Sequence, residues 1–187
     1  MRLKYLHIVI ICAVILGCSS QPEIRLEASS VNLKLENGVL FYNDIAFSGM
    51  LVSYYAENVL RSEIQYEKGK KHGFEKQWYP SGQKLIERYY EAGVKTGIHK
   101  SWWDSGDKKF EYHFNEKGEF HGLVKEWYKS RQLFRAFNYV NGKEVGSQKL
   151  YKNDGTIKAN YEVVNGERFG LIGLKKCYSL TVDSDEF

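Results

Sequence analysis

Hydrophobic and polar positions divide this chain into two regimes. Residues 6–16 form an almost unbroken apolar run behind Arg2 and Lys4. From Gly49 onward, apolar positions come in short segments that alternate loosely with period two, as in Phe74-Glu75-Lys76-Gln77-Trp78-Tyr79. Such alternation predicts half-buried strands. Pro80-Ser81-Gly82 follows, then a return strand from Lys84 to Tyr90, then Ala92-Gly93. Proline presets φ for the first corner of a type I turn, and glycine takes the left-handed position that closes a bulged hairpin. The segment therefore reads as one β-hairpin.

The hairpin recurs. Gly49, Gly73, Gly97, Gly122 and Gly146 follow one another at steps of 24, 24, 25 and 24 residues, and Gly170 opens a broken sixth unit. Numbering each unit from its glycine, position four is Lys76, Lys100, Lys125 and Lys149, and position six is Tyr54, Trp78, Trp102, Trp127 and Tyr151. Position ten holds Gly82, Gly106 and Gly155, with Asn58 in the first unit and Arg131 breaking the rule in the fourth. The second turn is Lys68-Gly69, Lys117-Gly118, Asn141-Gly142 or Asn165-Gly166, and one extra residue before Gly118 accounts for the longer step. A fixed period of this kind makes each unit a supersecondary element leaning on its neighbours. The expected fold is all-β: an elongated antiparallel sheet of about five stacked hairpins. Expected boundaries are a signal peptide at 1–17, a tether at 18–35, capping strands at 36–48, repeats at 49–172, and a last strand with an acidic tail at 173–187.

Composition sharpens this. The 14 Tyr, 10 Phe and 4 Trp stand against 2 Met and 2 Pro, which suits short strands and tight turns rather than a helical bundle. Half of the net charge of +4 comes from Arg2 and Lys4, and acids and bases interleave along the rest. No nucleic-acid stripe follows from that pattern.

The opening run is too short for the ~20 residues that cross a bilayer as a helix, and reads as a removable secretory segment. It ends in Ile15-Leu16-Gly17-Cys18, followed by Ser19-Ser20-Gln21-Pro22. This resembles a bacterial lipobox, whose cysteine becomes the acylated N-terminus. The resemblance implies lipidation at Cys18, anchorage in the cell envelope, and, with Ser19 rather than Asp next, the outer membrane of a Gram-negative cell. The alternative is an ordinary signal peptide with a chance cysteine. With Cys12 and Cys18 accounted for, Cys177 is left without an internal disulfide partner and reads as a structural thiol.

Units such as Gly73-x-x-Lys76-x-Trp78-Tyr79-x-x-Gly82 followed by Tyr89-Tyr90-x-x-Gly93, with Phe47-Ser48-Gly49 opening the array, are similar to the bacterial MORN-repeat-variant family. The resemblance covers about residues 36–172. It implies stacked hairpins in one long twisted sheet, and some members carry an antitoxin label; it implies no reaction.

The aromatics are the first candidate chemistry. Position six (Tyr54, Trp78, Trp102, Trp127, Tyr151) is expected on one face as a structural ladder, because a thin sheet has little else to bury. Position seven (Tyr55, Tyr79, Trp103, Tyr128) is expected on the other face, wetter, as the candidate binding surface, because it becomes Lys152 in the fifth unit. Trp102→Ala would then unfold the array's middle, and Trp103→Ala would be mild. The lysines of position four and Glu63, Glu87 and Glu111 form charged ladders that serve solubility and edge protection. The histidines have no ligand-like spacing, and phosphate-loop and dinucleotide motifs are missing, so no catalytic residue, metal or cofactor is assigned. The resulting expectation is a non-enzymatic envelope lipoprotein that holds the membrane through its lipid and binds or scaffolds a protein partner, with no role in nucleic-acid binding. The alternatives are an antitoxin-like protein neutralising a toxin, and a glycan-binding or glycan-hydrolysing protein.

Overall fold

A computed structural model describes residues 24–173. The strands are β1 (Arg25–Glu27), β2 (Leu33–Glu36), β3 (Val39–Tyr42), β4 (Ile45–Ala46), β5 (Gly49–Tyr54), β6 (Leu60–Glu67), β7 (Lys70–Trp78), β8 (Lys84–Glu91), β9 (Val94–Trp102), β10 (Lys108–Phe114), β11 (Gly122–Trp127), β12 (Leu133–Val140), β13 (Lys143–Tyr151), β14 (Ile157–Val164) and β15 (Glu167–Leu171). The fold is all-β. From β5 to β15 each strand pairs antiparallel with the next, and β1 completes a 12-stranded sheet. The signal peptide, Cys18 and the acidic tail lie outside the described residues.

Two expectations fail at the N-terminal end. β1 runs parallel to β5, with Arg25 opposite Met50, so the sheet is mixed rather than wholly antiparallel. β1 and β2 also occupy part of the segment read as a tether. That polar stretch is drawn in by the bare edge of β5, whose backbone groups need partners; Met50 donates to the Ile24 carbonyl at 2.7 Å. β2, β3 and β4 form a separate three-stranded sheet. It is joined to the array by Leu40 N–H to the Gly69 carbonyl (2.8 Å) and Gly69 N–H to the Phe47 carbonyl (2.7 Å). Phe47 is buried and lies 6.1 Å from the Tyr66 ring.

The turns behave as their residues dictate. Lys68-Gly69, Ala92-Gly93, Asn141-Gly142 and Asn165-Gly166 have positive φ at both positions, the geometry that matches the twist of flanking strands. The opposite turns repeat one bonding pattern. Tyr79 N–H reaches the Gln83 carbonyl at 2.8 Å and Gly82 N–H returns to the Tyr79 carbonyl at 2.9 Å, and Trp103, Tyr128 and Lys152 open turns of the same form.

The ladder is interrupted in register at each end of the hairpins. The register shifts beside position six in every unit. Around the unit glycine, one residue faces three: Gln65 opposes the segment containing Gly73, and Asn138 the segment containing Gly146. A Cβ on Gly73 would sit 2.1 Å from Gln65 Oε1, at φ +84°, so any other residue would displace that side chain and strain the backbone. Bulges of this kind sharpen twist.

Alternation sorts the side chains into two faces. One carries a row of charges across the strands: Glu63, Lys76, Glu87, Lys100, Glu111 and Lys125 are successive register partners. The other face holds the core. In the second to fifth units its deepest residue is position three, where Glu75, His99, Val124 and Gln148 are buried; in the first unit Leu51 is half-buried and Met50 and Val52 are buried instead. Aromatics of the return strands pack around them: His99 lies 5.4 Å from the Tyr90 ring and 4.6 Å from the Phe114 ring, and Phe120 joins Phe114 to Tyr139.

Candidate functional site

Position seven is where sequence and structure part most. Each of these side chains donates a hydrogen bond to the backbone carbonyl of the position-six aromatic one unit on. The pairs are Tyr55 Oη to Trp78 (3.0 Å), Tyr79 Oη to Trp102 (3.1 Å), Trp103 Nε1 to Trp127 (3.3 Å) and Tyr128 Oη to Tyr151 (3.1 Å). The set therefore stitches unit to unit. Position six is no better buried: Tyr54 is 37% exposed, and Trp78, Trp102, Trp127 and Tyr151 are half-buried, as are Tyr55, Tyr79, Trp103 and Tyr128. The expected contrast between a sealed ladder and a wet face does not hold. The bulge beside position six explains this, because it holds the aromatic at the strand end instead of over the sheet's centre. Trp102 and Trp127 there receive Lys84 and Lys108, 5.2 and 5.6 Å above their rings, while those lysines also pair with Glu87 and Glu111 at 2.6 and 2.9 Å.

Position thirteen packs on position seven. The Arg61 guanidinium lies 5.5 Å from the Tyr55 ring centre, Lys109 Nζ lies 4.4 Å from that of Trp103, and Phe134 meets Tyr128 edge-on at 5.1 Å. In the third and fourth units these pairs border a groove of about 610 Å³ walled by Trp103, Phe110, Tyr112, Trp127, Tyr128 and Phe134. Lys109, Lys129 and Glu126 also line it. Phe110 stacks on Tyr112 at 4.3 Å, which fixes that wall.

The groove's acid is already committed. Glu126 accepts from the Tyr112 hydroxyl in a very short contact and from Arg135 at 2.7 Å. Burial, reinforced by the Glu126 carboxylate, pushes the Tyr112 phenol up to about 12. Burial lowers the proton affinity of Arg135, but Glu126 and Tyr112 outweigh it, so the guanidinium stays charged. Such a set can hold shape and offer ring faces; it presents no free acid–base pair. Lys129 is paired with Asp104 at 2.8 Å, whereas Lys109 rests on the Trp103 ring.

The other buried polar side chains serve the bulges. His99 Nε2–H donates to the Tyr89 carbonyl at 2.8 Å. Gln148 accepts from Asn138 N–H at 3.1 Å and donates to the Asn138 carbonyl at 2.9 Å. Both satisfy backbone groups next to a break in register. Glu75 accepts from Lys71 and Gln77, each at 2.7 Å; burial raises its proton affinity, but the Lys71 ammonium outweighs it and holds the carboxyl below its ordinary range. Among the described residues, no group of three or more His, Cys, Asp or Glu side chains is placed to hold a metal, and no helix is long and apolar enough to cross a membrane.

Sequence reasoning brought Trp103 and Tyr128 to this region but missed Phe110, Tyr112, Glu126, Phe134 and Arg135. The signal in the return strands, where Tyr66, Tyr90, Phe114 and Tyr139 share position eighteen, points to the packing around buried residues such as His99 and not to the groove. No protein-family model matches this chain, and no curated protein sequence matches it.

Proposed function

We propose that the chain is an exported, lipid-anchored envelope protein whose hairpin array is a non-enzymatic module for binding a protein partner. The observation that carries the binding reading is the aromatic groove bordered by Trp103, Tyr128 and Phe134, on a sheet whose units are tied together by recurring hydrogen bonds. Rigid aromatic surface of this kind gives contact area at little entropic cost. The anchoring reading is supported by Arg2, Lys4, the apolar run and Gly17-Cys18. Two or three acyl chains, at about 0.8 kcal/mol per buried methylene, give lasting attachment. The repeated unit supports the MORN-variant assignment, which allows a dedicated antitoxin as a special case of the same binding role.

Two experiments test the proposal. Cys18→Ser should move the protein from the membrane to the soluble fraction and abolish labelling by radioactive palmitate; label that persists on the variant refutes the anchor. Crosslinking in intact cells followed by pull-down should recover one partner protein in stoichiometric yield. Recovery of lipid or glycan alone refutes the protein-binding reading.

A further inference from the structure

We propose that the groove receives an extended acidic segment of a partner protein that carries an aromatic anchor; this rests on the protein-binding reading above and narrows it. Position thirteen is Arg61, Leu85, Lys109, Phe134 and Lys158 in successive units. Neighbouring strands lie about 4.8 Å apart, so equivalent residues of successive units lie about 10 Å apart. Lys109, Phe134 and Lys158 thus form a track of cation, aromatic and cation about 20 Å long, the span of about six extended residues.

The middle of the track is apolar. Phe134 stands edge-on to Tyr128 at the groove, and Trp103, Phe110 and Tyr112 form its other walls. An incoming aromatic ring there finds faces and edges to pack against. The ends are cationic and uncommitted. Glu126 is neutralised by Arg135, and Lys129 is answered by Asp104. Lys109 touches the Trp103 ring, and Lys152 and Lys158 are exposed; none of the three has an ion-pair partner among the described residues. The complement of this arrangement is an aromatic residue with acidic residues about three positions to either side. Units one to three repeat the order of charges with Arg61, Leu85 and Lys109, but their middle residue is aliphatic and the aromatic groove lies in units three and four, which assigns the site to units three to five.

The test is a displayed random-peptide library panned against the full chain carrying Cys18→Ser. Enriched peptides should share an aromatic residue flanked by acids at that spacing. Lys109→Glu and Lys158→Glu should each weaken the enriched peptides at least tenfold, Lys158→Glu with an unchanged melting midpoint and Lys109→Glu with only the small drop expected from losing its contact with the Trp103 ring. Rising salt should weaken them too. No enrichment, enrichment without acidic bias, or binding indifferent to both reversals overturns the proposal. A partner captured from cells equally well by both charge-reversed proteins would sink the groove while leaving the protein-binding reading intact. Peptides that bind only after deletion of residues 174–187 would assign the groove to the chain's own tail, which also overturns it.

Discussion

The Tyr79 hydroxyl donates to the Trp102 carbonyl at 3.1 Å, linking the second unit to the third. A net hydrogen bond contributes about 1 kcal/mol, and a carbonyl left dry costs a similar amount. Tyr79→Phe should therefore lower the urea midpoint by the equivalent of about 1 kcal/mol. Because Trp102 and Trp103 are both half-buried, Trp102→Ala and Trp103→Ala should destabilise to a similar degree. A Tyr79→Phe midpoint equal to that of the parent would show that the bond contributes nothing.

His99 is held neutral. Burial is the largest cause of its lowered proton affinity, with Arg88 and Lys95 adding to it, against the opposing Tyr89 carbonyl and Glu75. The unfolded chain takes up a proton near the ordinary value of 6.5, where the folded chain does not. Stability should thus be full above that pH and fall as pH drops below it. The equivalent position in the fifth unit is Gln148, which bonds the bulge without titrating. His99→Gln should flatten the pH dependence of the melting midpoint below about pH 6.5. A variant with the parent's slope would place the titration elsewhere.

Arg131 occupies position ten with φ of 71°, where sister units place glycine or asparagine. A non-glycine residue there carries a strain of about 1 kcal/mol. The substitution Arg131→Gly removes that strain but also an ion pair to Asp107 at 2.9 Å, which solvent and salt screen at this exposed position. The melting midpoint should rise slightly, and more clearly in high salt, where the ion pair is screened in the parent. A lower midpoint at both salt concentrations would refute this account of the strain.

The charged row stops alternating at β12, where Ala136 pairs with both Lys125 and Lys149. Ala136→Glu would restore the alternation. Cross-strand pairs of opposite charge contribute about 0.2–1 kcal/mol each, so the variant should be stabilised by up to about 2 kcal/mol at low salt. Thermal melts across a salt series check this; a gain unaffected by salt would exclude the electrostatic cause.

The period of the glycines determined the all-β meander, because turn chemistry is local: Gly82, Gly106 and Gly155 take positive φ whatever surrounds them. Arg131 was legible as a strained exception for the same reason. The sequence could not show which aromatics are buried. Alternation assumes an unbroken ladder, and the bulges beside position six and at the unit glycines shift the register in each hairpin. Only the folded sheet brings Tyr79 to the carbonyl of Trp102, 23 residues away, and buries Glu75, His99 and Gln148 among side chains of the neighbouring strands. The groove is likewise tertiary. Trp103 and Tyr112 belong to one hairpin and Phe134 to the next, and strand pairing sets them around one space.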